Sequence, residues 1–285
     1  MNIAFSKMHG TGNDFVVLDL IHQPIVITPA LVKLLADRHR GIGCDQVLLV
    51  EPPQKPDNDF HYRIFNADGS EVEHCGNGAR CFARFVLDKK LTHKRRIQVG
   101  TMKGDLTLTI SNRGLVTVAM GIPSFEPETI PFITDQPTAD EYTLNVDDTT
   151  LTLGALAIGN PHAIVTVNNR FAADVDQLGP ALVTHNAFPQ HVNASFMEII
   201  NRQRIALRVF ERGAGETLSC GTAACAAVIH GINRKVLDNT VTVQLPGGEL
   251  QVEWSGNHQN VMLTGPATLV FDGHITVADA LTSKA

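Results

Sequence analysis

What this sequence lacks narrows it quickly. No apolar run approaches the roughly 20 residues that a membrane-spanning helix needs. There is no basic surplus. Lys and Arg number 23 against 29 Asp and Glu, a formal charge of −6, so nucleic acid is not an expected partner. Cysteine is sparse and odd in number, five in 285 residues, which argues against a secreted disulfide framework. From Gly10 onward the chain has Phe15 where a dinucleotide fingerprint needs its third glycine, and no Gly-x4-Gly-Lys-Ser/Thr phosphate loop occurs. Cys75 and Cys81, like Cys220 and Cys225, stand farther apart than the tight pairs of zinc ribbons. Neither a metal nor an organic cofactor is expected. The first ten residues carry Lys7 and His9 and no apolar leader core. The expected location is cytoplasmic, with no membrane partner.

What is present is material for a core. Hydrophobic residues make up 44% and charged residues 18%, a folded composition. The length suits two domains of ordinary size. Alternating segments read as strands at 3–7, 15–20, 46–50, 60–65, several times between 95 and 120, and again at 163–167, 196–200, 205–210, 241–244 and 250–254. Helical spacing occurs at 29–39, opened by Thr28 as N-cap and Pro29 at the first position, and at 77–89 and 222–234. The expected class is α/β with strand predominating. A Pro-rich stretch from Pro123 to Pro137 is the candidate linker.

The two halves echo one another. Gly12-Asn13 recurs as Gly159-Asn160, and Gln46 is matched by Asn193 at the same offset. Phe65-Asn66 is matched by Phe210-Glu211, and Cys75-Gly76 by Cys220-Gly221. A second cysteine follows each pair, Cys81 and Cys225. Four matches in one order indicate a duplicated domain with polar positions at equivalent places. A fixed-period solenoid does not fit two long copies.

Cys75 and Cys220 each follow a polar glycine-containing loop and precede helical spacing. A helix N-terminus offers unpaired N–H groups and the positive end of the helix dipole. A thiol there is expected to ionise more easily than its usual pKa of about 8.5 allows. Those N–H groups also suit a carboxylate that gains charge as an enolate. One thiolate and one thiol on opposite sides of a carbon meet the needs of α-carbon inversion, one removing a proton and the other returning one. Cys81, Cys225 and Cys44 read as packing residues.

These segments together resemble the diaminopimelate epimerase family. The resemblance rests on His9-Gly-Thr-Gly-Asn-Asp-Phe15, Phe65-Asn-Ala-Asp-Gly-Ser70, Cys75-Gly-Asn-Gly-Ala-Arg-Cys81, Gly159-Asn-Pro-His162 and Glu211-Arg-Gly-Ala-Gly-Glu-Thr217, and it spans about residue 3 to residue 275. It implies conversion of L,L-diaminopimelate to the meso isomer without pyridoxal phosphate or metal, on the route to lysine and peptidoglycan. It implies two similar pseudo-symmetric domains, 1–120 with 266–285 and 121–265, each a curled, mostly antiparallel sheet around a central helix. The active site would lie in the cleft between them, and the protein would be a homodimer. Cys75 would take the proton from the L,L isomer and Cys220 would supply one. Gly76, Asn77, Gly221 and Thr222 would present N–H groups to the reacting carboxylate. Asn13, Gln46, Asn66, Asn160, Asn193, Glu211 and Arg212 match substrate-contacting positions, with His162 and Glu211 near the reacting centre. Arg212 offers a planar fork for a distal carboxylate. Two departures stand out, Ser219 and Ala223 where the family has Ala and Gly. Rival readings are a proline or hydroxyproline epimerase, which has no distal charged end to bind, and a non-catalytic amino-acid binding protein, which needs no thiols.

Overall fold

Two-residue alternation dominates the chain. In the computed structural model it becomes eighteen strands and four α-helices among the described residues, which are 1–72, 75–256 and 258–281. In chain order these begin β1 (Asn2–Gly10), β2 (Asn13–Asp19), α1 (Pro29–Ala36), β3 (Gln46–Glu51), β4 (Phe60–Asn66), β5 (Glu71–Val72), α2 (Gly76–Asp88), β6 (Arg96–Thr101), β7 (Gly104–Ile110) and β8 (Val116–Ala119). There follow β9 (Tyr142–Val146), β10 (Thr149–Ala157), β11 (Pro161–Val167), α3 (Val175–Val183), β12 (Asn193–Asn201), β13 (Arg204–Glu211), β14 (Gly215–Thr217), α4 (Gly221–Asn233), β15 (Thr240–Leu245), β16 (Gly248–Glu253), β17 (Met262–Gly265) and β18 (Thr268–Thr276). The chain forms two compact units, Met1–Val118 with Gly265–Ala285, and Ala119–Thr264.

In the first unit β1 pairs antiparallel with β18 and β2, and β2 runs parallel to β3. β3 is antiparallel to β4, which pairs antiparallel with short β5 and parallel with β6; β6 and β7 are antiparallel. The second unit repeats these senses. β10 and β11 are antiparallel, β11 and β12 parallel, and β12 and β13 antiparallel. β13 then pairs antiparallel with short β14 and parallel with β15, and β15 is antiparallel to β16. The fold is mixed α/β, mostly sheet with few helices.

Each long helix packs against strands from across its own sheet. α2 touches β1, β2, β3, β7 and β18, and α4 touches β10, β11, β12, β13, β15 and β16. Both are buried nearly all round, as a helix enclosed by a curled sheet must be. A second helix covers the other face of β2 and β3. Leu31, Val32 and Leu35 of α1 pack with Val16, Leu18, Val47 and Leu49, while Leu48 faces α2 beside Gly78. Cover on both faces explains why β2 and β3 carry unbroken apolar runs rather than alternation.

Local chemistry sets the helix ends. Thr28 caps α1 through its side chain, accepting from the Leu31 N–H, with Pro29 at N1 as expected. The helix ends at Ala36, not His39. Asp37 leaves helical geometry, and its carboxylate accepts from the His39 and Arg40 N–H groups. α3 is not visible in the periodicity because Gly179 and Pro180 interrupt it. Asp174 caps it, and Gly179 is required because a Cβ there would come 2.7 Å from the Phe210 ring. The Pro-rich stretch is not a linker. Ile130 and Phe132 are buried in the second unit, and Phe132 stacks on Phe188 with centroids 4.8 Å apart. Its prolines suit irregular backbone, but its apolar residues belong to a core. Among the described residues no helix is long and apolar enough to cross a membrane.

Candidate active site

Cys75 and Cys220 occupy the same local position. Each is the N-cap of a 13-residue helix, with extended backbone (φ −135 and ψ 125 at Cys75, φ −121 and ψ 115 at Cys220). Their carbonyls accept the first helical bonds, from Ala79 at 2.8 Å and Ala224 at 3.0 Å. Gly76 and Asn77 open α2, and Gly221 and Thr222 open α4, so their N–H groups have no intrahelical acceptor. Glu73 and His74, in the polar loop before Cys75, lie outside the described residues.

In the first unit the other expected residues gather at one end of β2, β3 and β4. Thr11 and Gly12, at φ 51 and 90, form the two-residue turn that delivers Asn13. Asn13 Oδ1 accepts from Cys75 Sγ at 3.7 Å and from Asn77 Nδ2 at 3.3 Å. Gln46 lies opposite both Phe15 and Asn66, and its Nε2 donates to Asn66 Oδ1 at 2.9 Å. Cys75, Asn13 and Asn77 thus form one bonded group, and Gln46 with Asn66 another on neighbouring strands.

In the second unit Asn160 and His162 enter β11, and His162 lies opposite Asn193 on β12. His162 Nε2 is 2.9 Å from Asn160 Oδ1, and Asn193 Oδ1 accepts the Arg212 backbone N–H at 2.9 Å. The Arg212 guanidinium donates to the Gln190 carbonyl at 2.8 Å. Glu211 ends β13, accepts from the Thr217 hydroxyl at 2.5 Å, and lies against the Cys220 thiol. Cys220 Sγ is 3.4 Å from Thr222 Oγ1, and the Ala223 N–H also reaches the sulfur. Ala223 is fully buried without displacing that donor.

The electrostatics correct one expectation. Cys220 is not easier to ionise: burial pushes its thiol well above the ordinary value, and the Glu211 carboxylate adds to the shift, while the Thr222 and Ala223 contacts oppose it. The helix N-terminus is outweighed by desolvation. His162 is fully buried, and burial, helped by the Arg212 charge, pushes it down to about 3, so its ring is neutral near pH 7. Its Nδ1 has no hydrogen-bond partner among the described residues. Burial pushes the Cys44 and Cys81 thiols up to about 12, as suits core residues. Cys225 is also buried.

Three residues that sequence reading passed over sit against the Cys75 group of the first unit. Arg80 is fully buried inside α2 and donates to Gly76 O, Asn77 Oδ1 and Thr11 Oγ1. Asp45 accepts from the Asn13 amide at 2.8 Å. Tyr62 is buried beside Gly78, where a Cβ would come 2.6 Å from its hydroxyl. A buried cation is the one signal that sequence offered, since Arg80 lies at a helical position flanked by core residues. Among the described residues no group of three or more His, Cys, Asp or Glu is placed to hold a metal ion.

With this geometry in view, a family model described as Diaminopimelate epimerase matches residues 5–126 and 154–270. The chain belongs to the diaminopimelate epimerase family. A diaminopimelate epimerase from Teredinibacter turnerae is 55% identical over 277 residues, covering 96% of this chain and 99% of that one. Another from Azotobacter vinelandii is 54% identical over 275 residues, with 96% and 99% covered. The family is one of enzymes, isomerases by name. Among solved structures, a hydroxyproline epimerase from Agrobacterium vitis has a TM-score of 0.69 at 14% identity, covering 99% of this chain and 94% of its own. A PhzF-family phenazine biosynthesis protein from Bacillus anthracis has a TM-score of 0.67 at 18% identity, covering 97% and 100%. At those identities the likeness concerns the fold, which this chain shares with proteins of other names.

Proposed function

We propose that this protein converts L,L-diaminopimelate to the meso isomer by two-cysteine proton transfer, without an organic cofactor or a metal. The observation that carries the reading is the pair of cysteine N-caps, each at the start of a buried helix. Cys75 as thiolate takes the α-proton of the L,L isomer and becomes a thiol. The C–H bonding pair passes into an enolate-like carboxylate, held by the N–H groups of Gly76, Asn77, Gly221 and Thr222. Cys220 as thiol delivers its proton to the opposite face and becomes a thiolate, and the reverse reaction exchanges the roles. Burial and Glu211 both favour the protonated form of Cys220, which suits the donor role. His162, held neutral, stands in hydrogen-bonding contact with Asn160 and adds no charge at this step.

The remaining residues supply recognition. Arg212 binds the distal carboxylate, and Asn13, Gln46, Asn66, Asn160, Asn193 and Glu211 position the zwitterionic ends. A small cyclic imino acid has no use for that set, which disfavours proline as substrate. We further assign a homodimer on the exposed apolar run Leu269, Val270 and Phe271 of β18, to be checked by sedimentation. The lysine and peptidoglycan route and a cytoplasmic location follow from the substrate.

The deciding experiment incubates reduced protein with L,L-diaminopimelate in D2O and follows α-deuterium and the isomer ratio. Exchange together with the meso isomer, both lost in Cys75→Ala and Cys220→Ala, is the expected result. No exchange in freshly reduced wild type overturns the substrate, and exchange with proline instead selects the rival epimerase.

A further inference from the structure

The surroundings of Cys75 contain a chain of polar groups whose two ends each permit one polarity. Arg80 has donors and no acceptor. Its Nη2 donates to Asn77 Oδ1 at 2.9 Å, which leaves Asn77 Nδ2 to donate to Asn13 Oδ1 at 3.3 Å. At the far end Asp45, as a carboxylate, has acceptors and no donor. Its Oδ2 accepts from Asn13 Nδ2 at 2.8 Å and from the Asp14 N–H at 3.1 Å. The two amides are therefore oriented from both ends. Where they meet, Asn13 Oδ1 also accepts from Cys75 Sγ at 3.7 Å.

Both ends are themselves anchored. Arg38 Nη2 donates to Asp45 Oδ1 at 2.9 Å and to Asp14 Oδ1 at 2.8 Å, and Lys7 donates to Asp14 Oδ2 at 2.6 Å. Asp14 returns an acceptor to the Asp45 N–H at 2.8 Å. Arg80 is fully buried, with further donors on Gly76 O, Thr11 Oγ1 and Pro266 O. A flip of either amide would set donor against donor at Arg80 or acceptor against acceptor at Asp45.

We propose that Asp45 and Arg80 are positioning residues that hold the Asn13 amide oxygen toward Cys75, so that the site favours its S–H over its thiolate. This rests on Cys75 being the proton-transferring thiol of the proposed epimerisation. An oxygen at the sulfur accepts from S–H and repels S⁻, in opposition to the helix N-terminus. A thiolate held in such surroundings is a stronger base toward a weakly acidic α-hydrogen. A flipped amide would offer N–H to the sulfur instead and make the thiolate easier to form and weaker as a base.

The test uses Asp45→Asn, which keeps the shape and, with its oxygen held by Arg38, puts an NH2 where Asn13 Nδ2 and the Asp14 N–H now share one oxygen, so that Asn13 must flip to find a donor. Alkylation of Cys75 by iodoacetamide is followed against pH by peptide mass spectrometry. Among the described residues, the titratable groups near the sulfur, Tyr62 on β4 and Cys81 on α2, are unchanged in the variant, as are Arg80, Arg38, Asp14 and Lys7 along the chain. The expected result is a Cys75 profile moved to lower pH, an unmoved Cys220 profile, and a kcat reduced by roughly ten- to a hundredfold with KM changed less. Asn13→Ala, which removes the oxygen, should move the Cys75 profile the same way, and adding Asp45→Asn to it should do nothing more. An unmoved Cys75 profile in Asp45→Asn, or an equal shift with and without Asn13, overturns the proposal. Should Asp45→Asn not fold, an unmoved profile in Asn13→Ala alone overturns it. Alkylation needs no turnover. Wild type without epimerase activity but with the predicted shifts would remove the function and leave the positioning role.

Discussion

The two helix N-termini share a plan and differ in what surrounds the sulfur. Cys75 is half-buried and faces an amide oxygen whose orientation is set by Asp45 and Arg80. Cys220 is buried and faces a carboxylate, Glu211, with the Thr222 hydroxyl and Ala223 N–H as its donors. The third helical residue is Gly78 in α2, pressed by Tyr62, and Ala223 in α4, with room for its methyl group. A duplicated backbone thus carries two chemically distinct thiols. Local geometry supplies the helix terminus in both, and the residues packed around each sulfur decide what it faces.

The sharpest way to break the likeness is to remove one thiol at a time. Cys75→Ala and Cys220→Ala should each cost at least about 10²- to 10⁴-fold in epimerisation, followed by NMR in D2O. Retention of activity in either would leave the two halves unequal in need as well as in surroundings.

Acid should separate the units next. Burial pushes His162 down to about 3 and His230 down to about 4, against an ordinary 6.5. Below 6.5 the unfolded state takes protons that the folded state refuses, so stability falls as pH drops from 6.5 toward 4. The slope is up to about 1.4 kcal/mol per pH unit for each histidine. Asp14 in the first unit behaves oppositely. Burial raises its carboxyl, but hydrogen bonds from Arg38 and Lys7 outweigh that and hold it well below the ordinary 3.8. Its contribution is present above 3.8 and is lost only at lower pH. Hydrogen exchange between pH 7 and 4 should therefore open peptides of the second unit first; earlier opening of the first unit would contradict this.

Exchanging the third helical residues gives a smaller effect. Gly78→Ala puts a Cβ 2.6 Å from the Tyr62 hydroxyl and should lower stability by about 1–3 kcal/mol in urea, partly recovered by Tyr62→Phe. Ala223→Gly should cost about 1–2 kcal/mol through helix propensity and the loss of its buried methyl group. Equal and small losses at both would mean that Tyr62 yields easily. The smallest effect is expected from Glu211→Gln. Loss of the nearby negative charge should shift Cys220 alkylation to lower pH, and no shift would leave burial as the whole cause.

Much of this was readable in order along the chain. Thr28 and Pro29 announce α1 because capping is a matter of neighbours in sequence. The recurrence of Cys-Gly after Phe-x foretold two like helix starts, since a helix start depends on a few consecutive residues. Gln46, Asn66, Asn160 and Asn193 are singled out by their matched offsets and by the resemblance, although nothing local distinguishes them. α3 escaped because Gly179 and Pro180 break the period, and its glycine answers to Phe210 on another strand. The stretch from Pro123 to Pro137 misled for the same reason: what makes it core is the contact of Phe132 with Phe188.

By itself, then, the sequence determined the alternation that makes sheets, the duplicated order of motifs, the two cysteines at helix starts and the membership of a family. These are properties of residues near one another in the chain, and short-range sterics and hydrogen bonding suffice for them. Only the tertiary structure decided that Cys220 is driven toward its protonated form, that His162 is neutral, and that Asn13 turns its oxygen to Cys75. Each depends on desolvation or on a charge brought from a distant part of the chain, Glu211 to Cys220 or Asp45 and Arg80 to the two amides. Those are set by packing, which no local pattern records.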